Sequence, residues 1–347
     1  MNPISSILAS ARPNKRYNII TAPTHERYET NLCTTNADFY AIRHESVKDW
    51  DTEFAVLPPN YHLMDKKETV SEIIQSLPKD VSFDIVLSQN KFGQFGILAQ
   101  IARVLHLPII SLEHTLPQMP PNGPKWTQDN FHYIREKRGH YNVFISEMSK
   151  NTWLYDYASN NIVIEHGVDT NLFKPDPTAE KKNKCLSVVN DWINRDVFCG
   201  FKLWQEIIAG FPCQVYGKTK GLSETAKTTE DLAKAYQSHS VFVNTSLISP
   251  VPSVLMEAMS CGMAVVSTSN CMIPEIITHE DNGLLSNDPQ ELRRHISHLL
   301  SNPVEAERIG KRARQTILEK YPLKNFTNHW NNLFEKASNK SYWTTNA

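Results

Sequence analysis

Glu257 and its surroundings carry the clearest chemical signal in the chain. Within residues 246–275, SLISPVPSVLMEAMSCGMAVVSTSNCMIPE, Pro250 and Pro252 keep the backbone out of a helix until about Ser253. Val254, Leu255, Ala258 and Met259 then recur at helical spacing, and Gly262 suits the left-handed position that stops a helix. Residues 264–268, AVVST, form a short apolar run that fits a buried parallel strand. A helix start carries unpaired N–H groups and partial positive charge, so Ser253 and Val254 can hold a phosphate. Glu257, one turn further in, can accept bonds from a pair of ribose hydroxyls. The same carboxylate also suits a helix dipole with no ligand at all, and spacing does not choose between the two.

Other residues with chemistry to offer fall at the carboxyl ends of predicted strands: His25, His114, Ser146, Arg195, Lys218 and Ser249. The elements that must position them alternate between strand and helix. In the first half, strands are expected at 17–21, 38–42, 54–57, 83–87, 108–112, 143–146 and 162–164. Helices are expected at 27–32, 70–77 and 97–105. In the second half, strands are expected at 185–189, 212–216, 241–243 and 264–268. Helices are expected at 202–208, 229–237, 253–260, 289–300, 303–320 and 323–337. Such alternation argues for parallel α/β sheets. Residues 174–184, KPDPTAEKKNK, read as a solvated linker near a domain boundary, and 117–125, PQMPPNGPK, as a loop. Two open sheets in series imply a cleft between two strand-end rims, where ligands bind. Gly93-x-x-Gly96 suits either a phosphate loop or a tight strand–helix turn.

Composition narrows the classes. The 347 residues suit two domains, and a net charge of −1 gives no global attraction to nucleic acid or anionic membrane. No apolar run is long enough to span a membrane or to act as a signal peptide. The six cysteines show no CxxC pair and no metal spacing, so they read as reduced core residues of a cytoplasmic protein. One local exception to the weak charge is 125–138, where Lys125, Arg135, Lys137 and Arg138 mix with Trp126, Phe131 and Tyr133. That patch suits an anionic acceptor or an ordinary solvated helix.

Residues 241–285 resemble the donor-site signature of the retaining GT-B glycosyltransferases of family 4. The matching residues are Glu257-Ala258-Met259-Ser260-Cys261-Gly262, Pro274-Glu275 and Asn282-Gly283. Residues 162–173, IVIEHGVDTNLF, are similar to the hinge segment of that family. Residues 84–114 are similar to its strand–helix–strand ending in His, and Ser146-Glu147 to the serine-led turn that follows. The resemblance implies two Rossmann-like domains facing a central cleft. The acceptor domain would span 1–168 with helix 323–337 packing back onto it, and the nucleotide-sugar domain 169–322. It implies Glu257 on the ribose, the helix start at Ser253-Val254 near the diphosphate, and His114 beside the transferred sugar. Arg195 and Lys218 are candidates to neutralise the diphosphate. His25, Arg135, Lys137 and Arg138 are candidates for the acceptor. Same-face attack needs no protein nucleophile, and neither a cofactor nor a metal is required.

Three positions depart from the family pattern. Ser249 stands where the first Glu, facing the donor sugar, is usual; Asn270-Cys271 replaces a Gly-Gly; and Cys199 stands where a Lys is expected. The function implied is transfer of a sugar, from a UDP-sugar by preference, to a glycan, a lipid phosphate or a modified nucleic-acid base. A non-catalytic nucleotide-sugar-binding protein of the same fold is the alternative, and a nucleotide-sugar epimerase a third.

Overall fold

The first strand, β1 (Tyr17–Thr21), sets the frame of the N-terminal half, because its side chains are almost wholly buried and both its edges are paired. The computed structural model describes residues 15–117, 128–248, 251–339 and 342. Following β1 are β2 (Ala37–Arg43), β3 (Tyr61–Lys66), β4 (Ile85–Ser88), β5 (Ile109–Glu113), β6 (Tyr141–Phe144) and β7 (Asn161–Val163). Among the described residues they form one parallel sheet in the order β3-β2-β1-β4-β5-β6-β7. The order reverses between β1 and β4, and a crevice for ligands opens at such a switch point.

The second parallel sheet comprises β8 (Lys182–Val188), β9 (Cys213–Tyr216), β10 (His239–Asn244), β11 (Ala264–Ser267) and β12 (Leu284–Leu285). Its order is β12-β11-β10-β8-β9, so the switch point lies between β8 and β10. The α/β architecture expected from the sequence therefore forms, as two separate parallel sheets. Central strands such as β11 are buried along their whole length, which is why they read as continuous apolar runs.

Helix Leu323–Ser338 follows the second sheet in sequence but packs on the first. Phe326, Trp330, Leu333 and Phe334 are buried among Tyr17, Ile19, Tyr28 and Phe39. Trp330 Nε1 donates to the Tyr28 hydroxyl at 3.1 Å. The return is seated where Val168 N–H donates to Tyr321 O at 2.9 Å and Leu323 N–H to Val168 O at 2.8 Å. Gly167 permits this approach, since a Cβ there would meet Phe326 Cβ at 2.7 Å.

Two expected strands need correction. Residues 54–57 are not a strand; Phe54 instead lies beneath Lys48 and Lys218, at 5.5 and 4.4 Å from its ring centroid. The third strand is Tyr61–Lys66, an edge strand in which only Tyr61 is buried, so it lacks the apolar alternation that would announce it. In addition, β8 begins at Lys182, inside the polar stretch expected to be linker, and its first three residues are exposed. Ser249, Lys125, Trp126 and most of the 117–125 loop lie outside the described residues.

Candidate functional site

A cleft of about 730 Å³ opens where the carboxyl-end rims of the two sheets face each other. Its N-terminal wall depends on the loop after β1. Glu29, fully buried, accepts the backbone N–H groups of Thr24 and His25 on Oε2, each at 3.1 Å. Its Oε1 accepts from the Tyr61 hydroxyl at 2.6 Å and from Gln89 Nε2 at 2.7 Å. Burial pushes this carboxyl above the usual carboxylate range. His25 caps helix Glu26–Leu32 by accepting from Tyr28 N–H at 3.4 Å. The first turn of that helix thereby brings His25, Glu26 and Arg27 to the cleft.

His114 reaches the cleft from the end of β5. Glu113 fixes that turn: Oε1 accepts the Thr115 N–H at 2.9 Å and its hydroxyl at 2.6 Å, and Oε2 accepts the Lys91 N–H at 3.1 Å. His25, His114 and His166 all line the cleft and gather around Tyr28. The Tyr28 ring centroid lies 4.5 Å from that of His114 and 5.0 Å from that of His166. Desolvation in the cleft lowers all three imidazole pKa values, that of His166 to about 3, although His25 is exposed and His114 and His166 are only half-buried. They are therefore neutral near pH 7, each with one donor and one acceptor nitrogen. The buried Nε2 atoms of His114 and His166 have no hydrogen-bond partner among the described residues.

The opposite wall comes from the second sheet. Helix Ser253–Ser260 starts at Pro252, which has no side chain to cap it, and Ser253 and Val254 line the cleft. Val189, Asn190 and Asp191 after β8 and Ser246 after β10 complete this rim, at the switch point of the sheet. Arg195 lines the same wall, with Nη1 3.4 Å from Asn190 O. Gly200 holds a left-handed φ of 63°, and a Cβ there would stand 2.2 Å from Thr245 O. Only glycine lets the 196–200 turn pass so close to the end of β10.

Glu257 is not on the open wall of the cleft. It is buried, 6% exposed, in a side pocket of about 230 Å³ that adjoins the cleft. Tyr236 donates its hydroxyl to Oε2 at 2.9 Å, and Arg27 Nη2 meets Oε1 at 2.5 Å from the other half of the molecule. Burial raises the Glu257 pKa, and the Arg27 charge and the Tyr236 hydroxyl offset part of that rise. Arg27 and Ser253 line both the cleft and the side pocket.

Other expected site residues lie elsewhere. Lys218 is not among the cleft-lining residues; its Nζ is 2.5 Å from Glu53 Oε2, across the lip formed by Phe54. Arg135, Lys137 and Arg138 also lie away from the cleft. Arg135 donates to Trp153 O at 3.1 Å and to Leu154 O at 2.6 Å, and Lys137 to Lys91 O at 3.2 Å. The Arg138 guanidinium stacks 4.5 Å from the Tyr155 ring centroid. Arg135 and Lys137 thus tie helix Gln128–Arg135 and the turn after it to neighbouring backbone.

Sequence reasoning missed Arg27, Lys48 and His166 as cleft residues. Arg27 had one signal, a place in the first helical turn after a strand at the sheet rim. His166 follows β7 within the hinge segment much as His114 follows β5. Among the described residues, no group of three or more His, Cys, Asp or Glu side chains is placed to hold a metal ion, and no helix is long and apolar enough to cross a membrane.

Two facing parallel α/β sheets with a ligand-sized cleft between their rims define the GT-B fold. HepE of Anabaena, solved with UDP and glucose, superposes on 92% of this chain and 100% of its own with a TM-score of 0.72 at 14% identity. Residues 224–316 match the family described as glycosyl transferases group 1, so the chain carries a glycosyl transferases group 1 domain on a GT-B fold. A probable sucrose-phosphate synthase of Thermosipho melanesiensis is 27% identical over 203 residues, 51% of this chain and 47% of that protein. An uncharacterized glycosyltransferase of Haemophilus influenzae is 24% identical over 214 residues, 54% of this chain and 59% of that protein. The matched region thus spans about half the length of these curated relatives.

Proposed function

We propose that the protein is a retaining glycosyltransferase that moves a sugar from a nucleoside diphosphate sugar, a UDP-sugar by preference, to a hydroxyl-bearing acceptor. One observation carries this reading. An uncapped helix start opens on the same cleft as His114, with the buried Glu257 one turn behind it in an adjoining pocket. In this reading Glu257 takes the ribose hydroxyls in the side pocket. The N–H groups of Ser253 and Val254, with Arg195, hold the diphosphate, and His114 contacts the transferred sugar. His25 and the neutral imidazoles around Tyr28 supply donors and acceptors to uncharged hydroxyls of sugar or acceptor. The preference for uridine is supported by HepE, which has been solved both with UDP and glucose and with UDP-glucose.

The chemistry is substitution at the anomeric carbon. Its bond to the β-phosphate oxygen breaks and the electron pair stays on that oxygen. The acceptor hydroxyl oxygen bonds to the same carbon on the same face, and its proton passes to the departing phosphate oxygen. What accelerates the step is stabilisation of negative charge growing on the diphosphate, which preorganised N–H groups and a guanidinium supply. Incubation with UDP-, GDP- and ADP-sugars and a panel of glycan, lipid-phosphate and nucleic-acid acceptors tests it. The expected result is free nucleoside diphosphate together with a glycosylated product of retained configuration. Donor binding without turnover for any acceptor would favour the non-catalytic alternative, which Cys199 and the diverted Lys218 make worth separating.

A further inference from the structure

The diphosphate end of the cleft is short of cations on its own side. Cys199 lines the wall with an uncharged thiol whose pKa burial raises. Lys202 is 87% exposed with Nζ 3.7 Å from Asp196, and Lys218 is engaged by Glu53 at the lip. Among the described residues, that leaves Arg195 on this wall. Facing it from the N-terminal half are Arg27 and Lys48, and Lys48 Nζ is held 2.5 Å from the buried Glu26.

Arg27 has the placement the site lacks. It lines both the cleft and the side pocket, as does Ser253 at the helix start where the diphosphate is proposed to sit. Its present partner, Glu257, is the group proposed to take the ribose, so an arriving nucleotide brings an anion towards Arg27 and claims the carboxylate Arg27 now holds. A guanidinium presents a planar fork of donors that matches phosphate oxygens two at a time, and it stays charged at any working pH. We propose that Arg27 is a catalytic cation of the donor site, which exchanges Glu257 for the donor diphosphate when the nucleotide sugar binds. Because Arg27 stands on helix Glu26–Leu32 of the first half and Glu257 on helix Ser253–Ser260 of the second, the exchange clamps the diphosphate between the two halves. It takes the place of the cation absent at Cys199. The inference rests on the nucleotide-sugar reading of the cleft.

The test compares a ligand with the diphosphate and one without it. Calorimetric affinities for UDP and uridine are measured on the wild type and on Arg27→Met, which keeps an apolar stem and removes the charge. The expected result is UDP binding weakened about tenfold or more, the scale of a lost charged hydrogen bond. Uridine binding should hold or tighten, since Glu257 loses a competitor. Equal weakening of both ligands would overturn the inference, leaving Arg27 as a holder of Glu257. Should the lone buried carboxylate unfold Arg27→Met, the double variant Arg27→Met/Glu257→Gln is compared with Glu257→Gln. Its ratio of UDP to uridine affinity must fall by a similar factor, and an unchanged ratio refutes the role. Wild-type protein that binds UDP keeps the functional reading standing whichever way the variants fall. Wild-type protein that binds no nucleoside diphosphate overturns both.

Discussion

Arg27 and Glu257 lie 230 residues apart in sequence and meet at 2.5 Å between the two sheets. Glu257 is buried and the Arg27 side chain is 31% exposed, so the pair is desolvated on one side and wet on the other. Removing either partner leaves a charge without its counterpart, at greatest cost when the buried carboxylate is the one stranded. Glu257→Gln should cost stability by about 1–3 kcal/mol, below the figure for a fully buried pair because water reaches Arg27. Nucleotide affinity should fall by about 1.5–3 kcal/mol if the carboxylate binds ribose. Urea denaturation and calorimetry on the same preparation read the two effects separately, and unchanged nucleotide affinity in a folded variant contradicts the ribose assignment.

The His166 ring, half-buried with its Nε2 out of solvent, gives a pH signature. Its pKa falls from 6.5 to about 3 because burial disfavours the imidazolium. The unfolded chain therefore takes up a proton near pH 6.5 while the native ring stays neutral down to about pH 3. This ring's effect on stability is constant above pH 6.5, and stability is lost as pH falls through that window. The slope reaches about 1.4 kcal/mol per pH unit at most. His166→Gln should flatten the dependence between pH 6 and 4 relative to wild type, measured by chemical denaturation at a series of pH values. Parallel curves for the two proteins would show that the ring is not held neutral.

Lys218 and Glu53 form another ion pair between the halves, but Glu53 is 74% exposed. Exposed pairs contribute about 0–1 kcal/mol and weaken with salt. Lys218→Met should therefore leave UDP affinity within about a factor of five at physiological salt. A larger loss in calorimetry would return Lys218 to the donor site.

The cluster at Arg135 should behave as structure. Arg135→Met removes bonds to the carbonyls of Trp153 and Leu154, so about 1–3 kcal/mol of stability should go while the acceptor KM stays unchanged. A raised KM that flattens with salt would show the patch to be acceptor-binding.

How much of this was legible depended on burial and range. Strands β10 and β11 and the helix from Ser253 announce themselves because continuous burial writes a continuous apolar run. The edge strand Tyr61–Lys66 does not, since only Tyr61 needs to be apolar. Arg195 could be placed because it lies a few residues beyond β8. Lys218 could not, because the turn at Gly217, with φ 136° and no room for a Cβ, which would stand 2.1 Å from Val189 O, sends the lysine towards Glu53. No local pattern joins Arg27 to Glu257, since their meeting depends on how the two sheets face each other.

The position of a bound nucleotide tests the donor site most directly. A crystal structure of the wild-type protein soaked with UDP should show the ribose hydroxyls on Glu257 in the side pocket. The β-phosphate should lie at the N–H groups of Ser253 and Val254, with the Arg27 guanidinium turned from Glu257 to the phosphate. UDP bound elsewhere, or bound here with its ribose away from Glu257, would contradict the assignment.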